Sequence, residues 1–98
     1  MDNTLIERIE KMEDIEDTVK NAAIMAMQSM LEGNKYYTTK TEDYKEYAKL
    51  INGQIVIKMK QYDMSGSVAL RKEYSVGLRD FVDYVGSKMV VEERTIRM

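Results

Sequence analysis

The chain has 98 residues, of which 44% are hydrophobic and 33% charged, and its formal net charge is −2; this suits one small folded domain and excludes a disordered chain. It contains no Cys and no His. Disulfides, thiolate nucleophiles and cysteine-ligated zinc are thereby excluded, and the commonest general base and transition-metal ligand are missing.

Other compositional features narrow the class further. The longest apolar run is Ala22 to Met27, far short of the ~20 residues that span a bilayer. The opening Met-Asp-Asn-Thr is acidic and lacks a basic leader region. A cytoplasmic protein without a membrane partner is expected. Nine Met and seven Tyr stand against one Phe and no Trp, so the core is adaptable and weakly specified. Residues 1–53 carry eleven acidic and seven basic side chains, whereas residues 54–98 carry six acidic and eight basic. Such a split suits head-to-tail complementarity or one basic binding face.

The first predicted element is a long helix. Thr4 is placed to cap it, with Glu7 three residues on completing a capping box. Leu5, Ile9, Met12, Val19, Ala23, Ala26 and Met30 recur at steps of four and three, broken at Glu16, and Gly33-Asn34 supplies the C-cap. A continuous helix from Thr4 to Glu32 would run about 43 Å, longer than the roughly 33 Å diameter of a compact chain of this size. Either it breaks near Glu13–Asp17 or its overhang packs on a second copy. Its second half, Ala22 to Leu31, is apolar nearly all round, a pattern that demands burial on all sides. A subunit interface is therefore expected at Val19, Ala22, Ala23, Ala26, Met27 and Met30.

After a connector at Tyr36-Tyr37-Thr38, Tyr44, Tyr47, Ala48 and Ile51 lie at i, i+3, i+4 and i+7. They predict a second helix, capped by Thr39 or Thr41 and ended by Asn52-Gly53. Ile55 to Lys60 alternate as a strand, Asp63 to Ser67 form a turn, and Val68 to Glu73 return as a second strand. Leu78, Phe81, Val82 and Val85 predict a short helix capped by Ser75 and ended by Gly86. Met89 to Ile96 read as a final strand. The expected fold is α+β in the order α-α-β-β-α-β, with a three-stranded, mainly antiparallel sheet. It makes one domain over 1–98, with an oligomerisation helix at 1–33 and an α+β body at 39–98.

Several groups of residues carry chemistry. Glu13, Asp14, Glu16 and Asp17 are oxygen donors in proximity, but no converging ligands from other elements can be named, so they read as a solvated helix face and no metal is expected. Ser65-Gly66-Ser67 could cradle an anion with its amides, yet a Gly/Ser turn explains it fully. Without His or Cys, nucleophilic catalysis would need a Ser–Lys pair, for example Ser67 or Ser87 with a Lys brought close by folding, which the sequence neighbours do not support; no nucleotide-binding motif occurs either, so neither an enzyme nor a cofactor is expected.

What remains points to binding. Tyr36, Tyr37 and Tyr62 are candidates to contact a partner, because Tyr serves surfaces that are part apolar and part wet. Lys58, Lys60 and Tyr62 share one side of the first predicted strand, and Arg71 either joins them or lies opposite, depending on register. The leading expectation is a non-enzymatic homo-oligomeric interaction protein, an accessory or inhibitor protein of the kind common in phages, acting on a second protein. The first alternative is a nucleic-acid-binding regulator using Lys58, Lys60, Tyr62 and Arg71. The second is a binder of small anionic ligands, such as nucleotides, at a subunit interface.

Overall fold

A computed structural model describes the backbone of residues 3–97 and the side chains of residues 3–89. The order is α1 (Thr4–Glu10), α2 (Asp17–Leu31), β1 (Tyr36–Lys40), β2 (Tyr44–Ile51), β3 (Gln54–Tyr62), β4 (Val68–Val76) and α3 (Leu78–Arg97). The class is α+β, as expected, but the sheet has four strands in the order β1-β2-β3-β4, all antiparallel. Among the described residues the chain divides into two compact units: residues 29–76 hold the sheet and the last turn of α2, and residues 3–28 with 77–97 hold the rest of the helices.

In the helical unit the single long helix is corrected to two. Asn3, not Thr4, occupies the cap position of α1, without a side-chain cap bond. The helix stops at Lys11, and Asp14 takes a left-handed φ of 63°. Repulsion supplies the reason: Glu10 would face Glu13 and Asp14, and Glu13 would face Glu16 and Asp17, one turn apart. An Asp tolerates the left-handed backbone that relieves this. Asp17 then opens α2, where a carboxylate suits the helix N-terminus. The Lys20 ammonium returns to donate to the Glu10 carbonyl at 3.3 Å, at the end of α1. At the far end of α2 the expected C-cap is present: the Asn34 amide donates to the Ser29 carbonyl and the Gly33 amide to that of Met30, with Gly33 at φ 92°.

The third helix begins at Leu78, with the Phe81 amide donating to the Gly77 carbonyl. Its expected buried face, Leu78, Phe81, Val82 and Val85, is buried, with the last three at 0% exposure. Gly86 does not end it. The backbone continues as helix to Arg97, so the expected final strand at Met89–Ile96 is absent. Gly86 instead lies against α2, where a Cβ at this position would meet Val19 Cγ1 at 3.2 Å.

The sheet unit is a meander of three hairpins. The second expected helix is corrected to β2, and the connector before it to β1. Asn52 and Gly53, taken as a helix stop, both have positive φ, at 52° and 79°. They form the two-residue turn that matches the twist of a β2–β3 hairpin. The register runs without interruption from Ile51 opposite Gln54 to Tyr44 opposite Gln61. Bulges occur in β1 between Tyr37 and Thr39 and in β4 opposite Gln61–Tyr62.

This register sorts the side chains into two faces. One carries Glu46, Ala48, Leu50, Ile55, Ile57 and Met59, and its centre is closed, with Ala48 and Ile57 at 0% exposure. The other carries Tyr37, Lys40, Lys45, Tyr47, Lys49, Val56, Lys58, Lys60, Arg71 and Glu73. Replacing Gly53 with Ala should leave the fold intact but destabilise it by about 1–2 kcal/mol, the cost of a Cβ in the left-handed region. A fall in the urea midpoint at unchanged m-value would report it, and an unchanged midpoint would contradict the turn assignment.

Candidate functional site

The cationic sheet face is the site that the fold assembles. Lys40 stands opposite Lys45, Lys45 opposite Lys60, and Lys60 opposite Arg71. The four cations thus form one row across all four strands, about 14 Å long at the usual strand spacing of about 4.8 Å. Directly opposed like charges cost about 0.2–1 kcal/mol per pair. Among the described residues no carboxylate stands at ion-pair distance from these four; Lys58 in the next row pairs with Glu73 at 3.6 Å. Lys58, Lys60, Arg71, Lys72 and Glu73 line a shallow depression of about 90 Å³.

Aromatic rings lie between the cations. The Lys40 ammonium sits 4.6 Å from the Tyr37 ring centre, Lys45 5.4 Å from Tyr62, and Lys35 4.9 Å from Tyr47. Tyr37 and Tyr47 pack with ring centres 5.2 Å apart. Tyr47 is buried, whereas Tyr37 is 36% exposed and Tyr62 is half-buried. The face is therefore closed at its Tyr47–Val56 end and open along the row from Lys40 to Arg71.

Of the residues singled out from the sequence, Lys58, Lys60, Tyr62 and Arg71 do share this face, and Arg71 joins the others. Tyr37 is with them. Tyr36 is not: it pairs with Ala48 and belongs to the opposite face. The proposed interface residues of α2 fare differently. Ala23, Ala26, Met27 and Met30 are at most 2% exposed within the single chain, and Val19 and Ala22 are half-buried. The buried four have no surface to offer a second copy; the exposed apolar side chain of α2 is Met25, at 69%.

The other candidate sites lose their ligand-binding atoms to the chain itself. In the Asp63–Ser67 turn the Ser65 and Ser67 amides donate to Asp63 Oδ1 at 2.9 and 3.0 Å, and the Ser65 hydroxyl donates to it at 2.6 Å. The hydroxyl of Ser65, then these amides, hold the Asp63 carboxyl below its ordinary pKa. The would-be anion cradle is thus already satisfied by an internal anion. Among the described residues no three acidic side chains converge as cation ligands, and no helix is long and apolar enough to cross a membrane. The chain matches no protein-family model, no curated protein and no solved structure.

Sequence reasoning missed Lys40 and Lys45, half of the row. Lys45 falls within the helix that the sequence predicts, and the members of the row are separated by five, fifteen and eleven positions, so only strand pairing brings them together.

Behind this face, a carboxylate is enclosed. Glu46 is 5% exposed, and its Oε1 accepts from the Tyr44 hydroxyl at 2.6 Å. Thr38 Oγ1 lies 3.5 Å from Oε2. Burial first, and then the bond and charge of Glu46, push the Tyr44 phenol up to about 12 from its ordinary 10.0. A raised folded-state value means that Tyr44's contribution to stability is whole below pH 10 and is lost as pH rises toward 12. Ultraviolet titration should therefore show a late phenol that Tyr44→Phe removes. A titration curve whose alkaline end Tyr44→Phe leaves unchanged would contradict the bond.

Proposed function

We propose that the protein is a non-enzymatic binding module that holds single-stranded nucleic acid on the open part of its cationic sheet face. The carrying observation is the row Lys40–Lys45–Lys60–Arg71, flanked on the same face by Tyr37 and Tyr62. Phosphates relieve the mutual repulsion of the row, and their binding releases counterions. Exposed aromatic rings between cations suit bases that are free to stack. A duplex keeps its base faces inside the stack and leaves the tyrosines without a role.

The chain's acidic balance does not oppose this reading, because the charge is segregated. Residues 29–76, the sheet unit, carry eight basic and six acidic side chains, whereas the remainder carries seven basic and eleven acidic. A polyanion is attracted to one unit and repelled by the other. The expectation of a homo-oligomer assembled through α2 has less support, since Ala23, Ala26, Met27 and Met30 are enclosed within the single chain.

Fluorescein-labelled oligo(dT) and oligo(U) of about 15 nucleotides, within the usual site size for such surfaces, are suitable probes. The expected log–log salt slope is about −3, at about −0.7 for each of four phosphate contacts. Lys45→Ala and Lys60→Ala should each reduce that slope by about 0.7. Tyr62→Ala should weaken binding by about five- to a hundredfold through lost stacking. Anisotropy that stays flat for both oligonucleotides at low salt removes this function.

A further inference from the structure

At the other edge of the sheet from β1 lies a strand of a different character. β1 is five residues long and broken by a bulge after its second residue, so it is a poor template; the bulge of β4 lies at its start, between Val68 and Leu70, and leaves Leu70–Val76 regular. β4 is nine residues long, and every side chain before Val76 is exposed. Val68, Leu70 and Tyr74 are 41%, 46% and 43% exposed, and among the described residues nothing pairs with the outer edge of the strand. A long edge with exposed apolar side chains invites another strand.

The sequence of that edge specifies which strand. We infer that β4 pairs antiparallel with β4 of a second copy, about a two-fold axis through Lys72. Directly opposed residues must point to the same face, so such an axis has to pass through a residue. About Arg71, it would set Arg71 against itself. About Glu73, it would set Glu73 against itself. About Lys72, the middle of the nine, Arg71 faces the partner copy's Glu73 on one side of the sheet, and Leu70 faces its Tyr74 on the other.

Each copy supplies both halves of every contact, as a two-fold interface requires. Opposite charges and an aromatic–aliphatic pair directly across an antiparallel ladder are favourable, and like charges there are not. The one unfavourable pair is Lys72 with its own copy on the axis. Its long stem lets the two ammonium groups part into water. Glu73, 57% exposed beyond its pairing with Lys58, has room for a second cation. The axis is perpendicular to the sheet, so the two cationic faces point the same way. This pairing goes beyond nucleic-acid binding and does not require it.

The test is a charge swap read by sedimentation velocity over a concentration series, with thermal melts as the control for folding. The wild type should show a reversible monomer–dimer equilibrium. Arg71→Glu and Glu73→Arg, each of which sets like charges opposed, should each weaken the dimer at least about tenfold. The double variant Arg71→Glu/Glu73→Arg should restore it to within about threefold. Lys72→Thr, which removes the like-charge pair, should tighten it. A wild type that stays monomeric over the whole series overturns the inference, as does a dimer indifferent to the single swaps, or double-swapped protein that melts normally yet stays dissociated.

Discussion

The left-handed turn at Asn52-Gly53 is the constraint on which the sheet depends. A strand places successive side chains on opposite faces, so a slip of one residue would exchange the faces of β2 relative to β3. A two-residue turn with both φ values positive permits one register, and that register carries unbroken to Tyr44–Gln61. It sets Ala48 beside Ile57 on one side and Lys45 beside Lys60 on the other. The closed apolar face and the cationic face are two consequences of the same turn. Without it, Glu46 would exchange an enclosed position beside Tyr44 and Thr38 for the side where the lysines stand.

Charge organises the helical unit in a comparable way. The acidic run between residues 13 and 17 cannot continue a helix without stacking carboxylates one turn apart. Its breaking at Asp14 ends α1 early and gives α2 a negatively charged first turn. Lys20 links the end of one helix to the start of the next through the Glu10 carbonyl. Two short helices replace one long one, and Ala23, Ala26, Met27 and Met30 of α2 find burial within the single chain.

Much of the fold was legible in the sequence, and the failures have specific causes. The capping glycine of α2, the apolar face of α3 and the β3–β4 hairpin follow from pattern and turn chemistry. The break near Glu13–Asp17 was one of two outcomes left open by length. The second helix failed because Tyr44, Tyr47, Ala48 and Ile51 fit a helical stripe, while the same eight residues also alternate with Lys45 and Lys49 on one side. A short segment supports both periods, and the decisive signal was the Asn-Gly pair that follows, a hairpin turn read as a stop. Gly86 failed in the opposite sense: it marks where Val19 comes close, not where a helix ends. The site was half legible, since alternation within one strand reveals Lys58, Lys60 and Tyr62, whereas Lys40 and Lys45 join them only through pairing between strands.

The lysines resting on the tyrosine rings have a consequence for selectivity. In the free protein the chain's own ammonium groups occupy the places above Tyr37 and Tyr62 that a base would take. Each such contact is worth only about 0.5–1 kcal/mol at an exposed site, less than a typical stacked base returns at about 1–3 kcal/mol. A base arriving alone must evict a lysine and leaves it with nothing to hold. A phosphate arriving alone draws the lysine off and leaves the ring bare. Under the proposed function, only a molecule that brings both, in alternation along one backbone, satisfies ring and ammonium together, so such a surface would favour polymers over their monomers.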